Sequence, residues 1–128
     1  MRRDEGSGSV LVLGICSALI SLLLLVLALC GAVLARHRAE AAADLAALAG
    51  ADVVVGRAAG DPCARARQVL LAQGAAPAGC VVAGDGSVLV GASVRPSGLA
   101  GVLGPARARA RAGQATETAP GTDPRASW

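Results

Sequence analysis

The sequence predicts an α+β protein: a long N-terminal helix that crosses a membrane and continues beyond it, a short second helix and a small three-stranded antiparallel sheet. Three observations carry this reading. Val10–Ala35 is an unbroken apolar run, VLVLGICSALISLLLLVLALCGAVLA, without a charge or a proline. The stretch after it, RHRAEAAADLAALAGADVVV, consists mostly of strong helix formers. Beyond Cys80 the apolar residues recur every second position rather than at helical spacing.

The apolar run sets the frame. Sixteen of its 26 residues are Leu, Ile or Val. As a helix rising about 1.5 Å per residue it is roughly 39 Å long, against a hydrocarbon core of about 30 Å. Each Leu, Ile or Val contributes about −0.3 to −0.6 kcal/mol near the middle of an inserted helix, so the sixteen together favour insertion by very roughly 5 to 10 kcal/mol. A cleaved signal peptide is the first alternative. Its apolar core is about 7–15 residues, much shorter than this run, although Val33-Leu34-Ala35 forms a weak cleavage site. Neither Cys16, after Ile15, nor Cys30, after Leu29, follows the small residue that a lipoprotein signal wants.

The chain divides into a short basic leader (1–9), the span (10–35), a small α+β domain (36–112) and a polar, Pro-containing tail (113–128) expected to be disordered. The domain holds only about 75 residues, a size that is marginal unless stapled. The first helix is expected from about Ser9 to about Val55, with Arg36 and Glu40 as an i, i+4 pair and Gly56 or Gly60 at its end. Asp61-Pro62 reads as an N-cap followed by proline at the first helical position, opening a second helix to about Gln73 that Gly74 terminates. Cys80–Ala83 and Ser87–Val94 flank Gly84-Asp85-Gly86, a hairpin signal. On the second strand Val88, Val90, Ala92 and Val94 share one face. Residues 96–105 are a glycine-rich connection. ARARARA over Ala106–Ala112 has a strict period of two, which as a strand sets Arg107, Arg109 and Arg111 on a solvated face and four alanines against the long helix; as a helix the arginines would spread around the circumference.

Composition excludes more than it assigns. There is no Phe, Tyr or Lys, and the single Trp is the last residue, so no aromatic side chain in the domain stacks on bases; with a net charge of only +3, a nucleic-acid partner is not expected. The single histidine, His37, stands between Arg36 and Arg38 at the membrane edge, where it reads as an interfacial polar residue. No metal-ligand cluster, phosphate-binding glycine motif or acid/base pair of carboxylates emerges, and the chain is read as neither an enzyme nor the holder of a cofactor or small-molecule substrate. The Arg107, Arg109, Arg111 stripe raises an anionic-ligand reading beside the blander one of a solvated face. Cys63 and Cys80, with 16 residues between them, are a disulfide if the domain lies outside the cytoplasm and free thiols if it does not. The charges leave orientation open: Arg2 and Arg3 precede the run, and Arg36 and Arg38 follow it.

The order of these features resembles the TadE/TadG-like pilus-assembly proteins of bacteria, in particular small actinobacterial TadE-like proteins of the helicase/secretion-neighbourhood type. The resemblance runs roughly over residues 2–112. It is most specific at Arg36–Ala51, similar to the family's hRAQAAADLAALAAA segment, at the pair Cys63 and Cys80, and at the terminal Arg/Ala strand. It implies a pilin-like fold and a pseudopilin- or minor-pilin-like component of a Tad (Flp)-type pilus or secretion apparatus. Such a protein works through protein contacts, with membrane lipid and other pilus or secretion proteins as partners. It would be a single-pass protein of the cell membrane with a cytoplasmic N-terminus and an extracytoplasmic C-terminal domain. The leader then resembles a prepilin-peptidase substrate, cut between Gly6 and Ser7. Pilin-like proteins usually carry Glu at the fifth mature position, and here that position is Leu11, so that residue's role in a filament is not carried over. Two other readings stand beside this one: an anchored receptor that binds an anionic ligand through the Arg-rich strand, and a secreted soluble domain released by cleavage near Ala35.

Overall fold

The computed structural model describes residues 6–114. Over these residues the chain forms helix α1 (Ser7–Val54), helix α2 (Pro62–Ala72), strands β1 (Ala76–Val82) and β2 (Val88–Val94), a 3-10 turn (Gly98–Leu103) and strand β3 (Ala106–Ala112). The expected α+β architecture is present. The Arg-containing part of the leader and most of the polar tail lie outside the described residues.

Helix α1 runs for 48 residues without a break, about 72 Å at the usual rise. Nothing in its sequence interrupts it: there is no proline, and Leu and Ala dominate. It starts at Ser7, two residues earlier than expected, with Gly6 as N-cap. Gly56 ends it in the left-handed conformation, φ 77°. The Gly56 N–H donates to Val53 O at 3.1 Å and the Arg57 N–H to Asp52 O at 2.8 Å, which closes the last turn as a Schellman motif. Of the two candidate stops, Gly56 is therefore the one used.

Helix α2 begins and ends as its sequence directs. Asp61 Oδ1 accepts from the Ala64 N–H at 2.7 Å, and Pro62 occupies the first helical position. At the other end Gly74 has φ 71°, and the Ala75 N–H reaches back to Leu70 O at 2.9 Å. Ala75 and Leu70 are both buried there, the apolar contact that accompanies this cap.

The sheet is antiparallel in the order β1-β2-β3. Strand β1 departs from expectation, because it begins at Ala76 rather than at Cys80. Pro77 lies within it. The strand is at the sheet edge, where a proline costs no ladder bond, and the register shifts between Pro77 and Cys80. That bulge folds the chain over β2: a Cβ added at Gly91 would lie 2.8 Å from Ala78 O. The glycine-rich connection after Pro96 also holds more structure than expected, since Gly98–Leu103 closes into a 3-10 turn. ARARARA is a strand, paired with β2 along its length from Val94↔Ala106 to Val88↔Ala112.

The core is built from small residues. Ala39, Ala42, Ala43, Ala46 and Ala47 of α1 are all at most 2% exposed. Against them pack Val88, Val90 and Ala92 of β2, Ala66 and Leu70 of α2, and more peripherally Ala108, Ala110 and Ala112 of β3. Leu70, Val88 and Val90 are its largest fully buried side chains. Alanine on the helix lets the sheet approach closely, but it leaves little apolar area to bury. The disulfide between Cys63 and Cys80, with Cα atoms 5.8 Å apart, ties the start of α2 to β1 across this thin core.

Candidate functional site

The two halves of α1 have different surroundings. From Arg36 upward every buried residue of the helix faces the domain. Below Ala35 the large side chains are bare: Leu22, Leu23, Leu25, Leu27 and Val33 are all more than half exposed. Between Val10 and Ala35 the two hydroxyls are satisfied by the helix itself. Ser17 Oγ donates to Gly14 O at 3.0 Å and Ser21 Oγ to Ser17 O at 2.8 Å. No group there calls for water, which is the condition for backbone and side chains in hydrocarbon. Among the described residues α1 alone is long and apolar enough to cross a membrane. Cys16 and Cys30 are exposed free cysteines on this half.

The apolar surface does not stop at Ala35. Leu34, Ala41, Leu45 and Leu48, spaced by seven, four and three residues, fall on one side of the helix and are all exposed, with the exposed Arg38 between Leu34 and Ala41 on the same side. Arg36 and His37 meet Glu40 beside this side, with Nε to Oε1 at 2.9 Å and Nδ1 to Oε2 at 3.4 Å. At the lower end of α1, Gly6 is the N-cap and Ser7 the first helical residue, both exposed. Leu11 is 65% exposed on the same end.

The three arginines of β3 all point away from the core, as expected, but they have different neighbours. Arg111 Nη2 donates to Asp85 Oδ2 at 2.7 Å and its Nε to Ser87 Oγ at 2.8 Å. Asp85 Oδ1 in turn accepts from the Ser87 hydroxyl at 2.6 Å and from the Ser87 N–H at 3.0 Å. Arg111 thus locks the end of β3 to the β1–β2 turn. The two Ser87 hydrogen bonds, helped by the Arg111 charge, hold the Asp85 carboxyl below its usual pKa. Arg107 and Arg109 make no ion pair among the described residues. Both border a shallow trough of about 650 Å³ on the outer face of the sheet, floored by Gly91 and Ser93 and walled by Ala76, Pro77 and Ala78. The stripe therefore offers two unpaired guanidinium groups rather than three. The sequence held no sign of this, since Asp85 and Arg111 are 26 residues apart and meet only through the register of the sheet.

Cys63 and Cys80 are joined, which chooses the disulfide over free thiols. Among the described residues no group of three or more His, Cys, Asp or Glu side chains is placed to hold a metal ion.

A comparison with protein families matches residues 6–53 to the Tad family, described as Flp pilus-assembly TadE/G-like. Neither a curated protein nor a solved structure shows significant similarity to the chain. The matched stretch and helix α1 coincide to within a residue at each end. Residues 6–53 of the chain are TadE/G-like, from the first residue the structure describes to the last turn of the helix on which the domain is built.

Proposed function

We propose that the protein is a membrane-anchored, pseudopilin- or minor-pilin-like component of a Tad (Flp)-type pilus or secretion apparatus, acting through protein–protein contacts. The observation that carries this reading is the coincidence of the TadE/G-like match with one continuous helix whose lower half leaves its large apolar side chains exposed and whose upper half is the spine of a small domain. A catalytic role has no comparable support. The lower half of α1 lies in the cytoplasmic membrane, the N-terminus is cytoplasmic, and residues 36–112 lie outside. The disulfide supports the outward placement, because such bonds persist in oxidising compartments.

The contacts to other subunits run along the side of α1 that the domain leaves bare, from Leu34 through Leu45 to Leu48. A photo-crosslinking residue at Leu45 or Leu48, in cells that assemble the apparatus, is expected to trap other pilus components. Crosslinks to lipid alone, or none, would contradict the reading. Mass spectrometry of the mature N-terminus tests processing separately. A start at Ser7 is the result expected of pilin-type cleavage, an intact start leaves a plain anchor, and a start at Arg36 would mean a released soluble domain and no anchor.

A further inference from the structure

The 3-10 turn Gly98–Leu103 is set low on the molecule, beside the apolar run rather than beside the rest of the domain. Its Ala100 is 2% exposed. It packs on α1 where a Cβ added at Gly31 would lie 2.9 Å from the Ala100 Cβ. Gly31 is within the span, four residues before its end at Ala35. The remaining large side chains of the turn face away from the protein: Leu99 and Leu103 are well exposed, and Val102, at 87%, is the most exposed large apolar residue among those described. From Pro96 to Ala106 there is no charged residue, and from Gly86 to Gln114 no acidic one.

Cations surround this apolar knuckle. Arg36 and Arg107 line one shallow cavity of about 300 Å³ together with Ala32 and Leu103. Exposed Arg95 stands three residues before the turn. Arg36 engages Glu40 through Nε alone. The register explains the arrangement: β3 rises beside α1 from Ala106, near Arg36, to Ala112, near Leu48 and Ala51. Arg107 is therefore at the end of the sheet next to the span, and Arg111 at the far end.

We propose that the turn Gly98–Leu103 is a second membrane contact, seated on a bilayer containing anionic phospholipid. Leu99, Val102 and Leu103 enter the edge of the hydrocarbon layer beside Gly31–Ala35, and Arg36, Arg95 and Arg107 face lipid phosphates. Continuity with the apolar run and a rim of three arginines, of which only Arg36 shares its charge with a carboxylate, both point to that partner. Because α1 already holds the domain at the surface, the turn meets lipid as an intramolecular event. Its effect is to fix the height and tilt of the domain, not to provide the anchor. The inference rests on the reading of Val10–Ala35 as embedded in the membrane.

The test uses the full chain with Cys16→Ala and Cys30→Ala, reconstituted in phosphatidylcholine vesicles with or without phosphatidylglycerol. A spin label is placed at Val102→Cys, at Leu23→Cys in the span, or at Leu89→Cys at the far end of the sheet. Collision with oxygen and with a water-soluble nickel chelate is then compared. The expected result is a lipid signature at 23 and at 102 and an aqueous one at 89. The label at 102 should sit deeper with phosphatidylglycerol and lose that shift in an Arg36→Gln, Arg107→Gln variant. An aqueous 102 beside a lipid-exposed 23 would overturn the second contact and leave the anchor standing, whereas an aqueous 23 would overturn the anchor itself. Shielding of 102 from both reagents, with spin broadening that dilution by unlabelled protein removes, would mean that a second copy covers the turn, against the proposal. A depth at 102 indifferent to phosphatidylglycerol would overturn the part given to the arginines.

Discussion

Asp85 and Leu70 show how differently single residues hold this domain. Asp85 is on the surface, where solvent screens its charge and its bond to Arg111 contributes little to stability. Its carboxylate is nonetheless tied by Ser87 and Arg111, and its pKa lies below the usual value of about 3.9. The sign follows from linkage: with the folded-state pKa depressed, the stabilisation is complete above the unfolded value and is lost as the pH falls through the folded one. Denaturant titrations of the full chain in detergent should therefore show a small loss of stability below about pH 4 that Asp85→Asn removes. An unchanged acid limb in that variant would count against the Asp85–Ser87–Arg111 link. Leu70, by contrast, is 1% exposed and is the largest side chain of an alanine-rich core. Leu70→Ala is expected to cost about 2–5 kcal/mol, enough to threaten a domain of this size, read as a shifted denaturation midpoint. The sequence showed Leu70 on the apolar side of α2 through its spacing from Ala66 and Val69. It could not show Asp85 beside Arg111, because that contact depends on strand register rather than on any local pattern.

At the scale of elements, the chain is most readable where local chemistry decides and least readable where tertiary setting does. Asp61-Pro62, Gly56 and Gly74 mark helix ends through capping bonds made within a few residues, and all three act as the sequence implies. Asp61→Ala should cost about 1 kcal/mol of domain stability in the same denaturation assay, because the Ala64 N–H loses its acceptor. ARARARA could be resolved as a strand because its period of two suits one buried and one solvated face. The early start of β1 was not legible, because a strand tolerates Pro77 only at a sheet edge, and edge position is a property of the assembled sheet. The disulfide links two elements that share only a thin core. In the chain-entropy model a bridge between cysteines 17 residues apart contributes about 3 kcal/mol. Cys63→Ser or reduction should therefore lower the unfolding free energy by about that amount, measured by far-ultraviolet circular dichroism. A midpoint that does not move on reduction would mean that the core holds without its staple.

For the molecule as a whole, one helix serves two solvents. Its lower half is dominated by Leu, Ile and Val, with Ser17 and Ser21 bonded back to the helix. Its upper half presents alanine to the domain and Leu45 and Leu48 to the outside. This division was legible from the change at Arg36, where charge first enters the helix. The TadE/G-like match covers the same helix and ends with it, so the domain's own contribution must be read from its geometry. What no pattern in the sequence conveyed is the low seat of Gly98–Leu103 against Gly31, because a glycine-rich connection carries little periodicity from which to place it. The central claim is that residues 36–112 form a disulfide-stapled domain outside the cytoplasmic membrane, carried on a helix that spans it. Labelling Cys63 and Cys80 in intact cells with a membrane-impermeant thiol reagent tests this most directly. The account predicts no labelling before reduction and labelling of both after mild reduction of the intact cells. Labelling that requires permeabilisation, or free thiols at both positions without reduction, would contradict it.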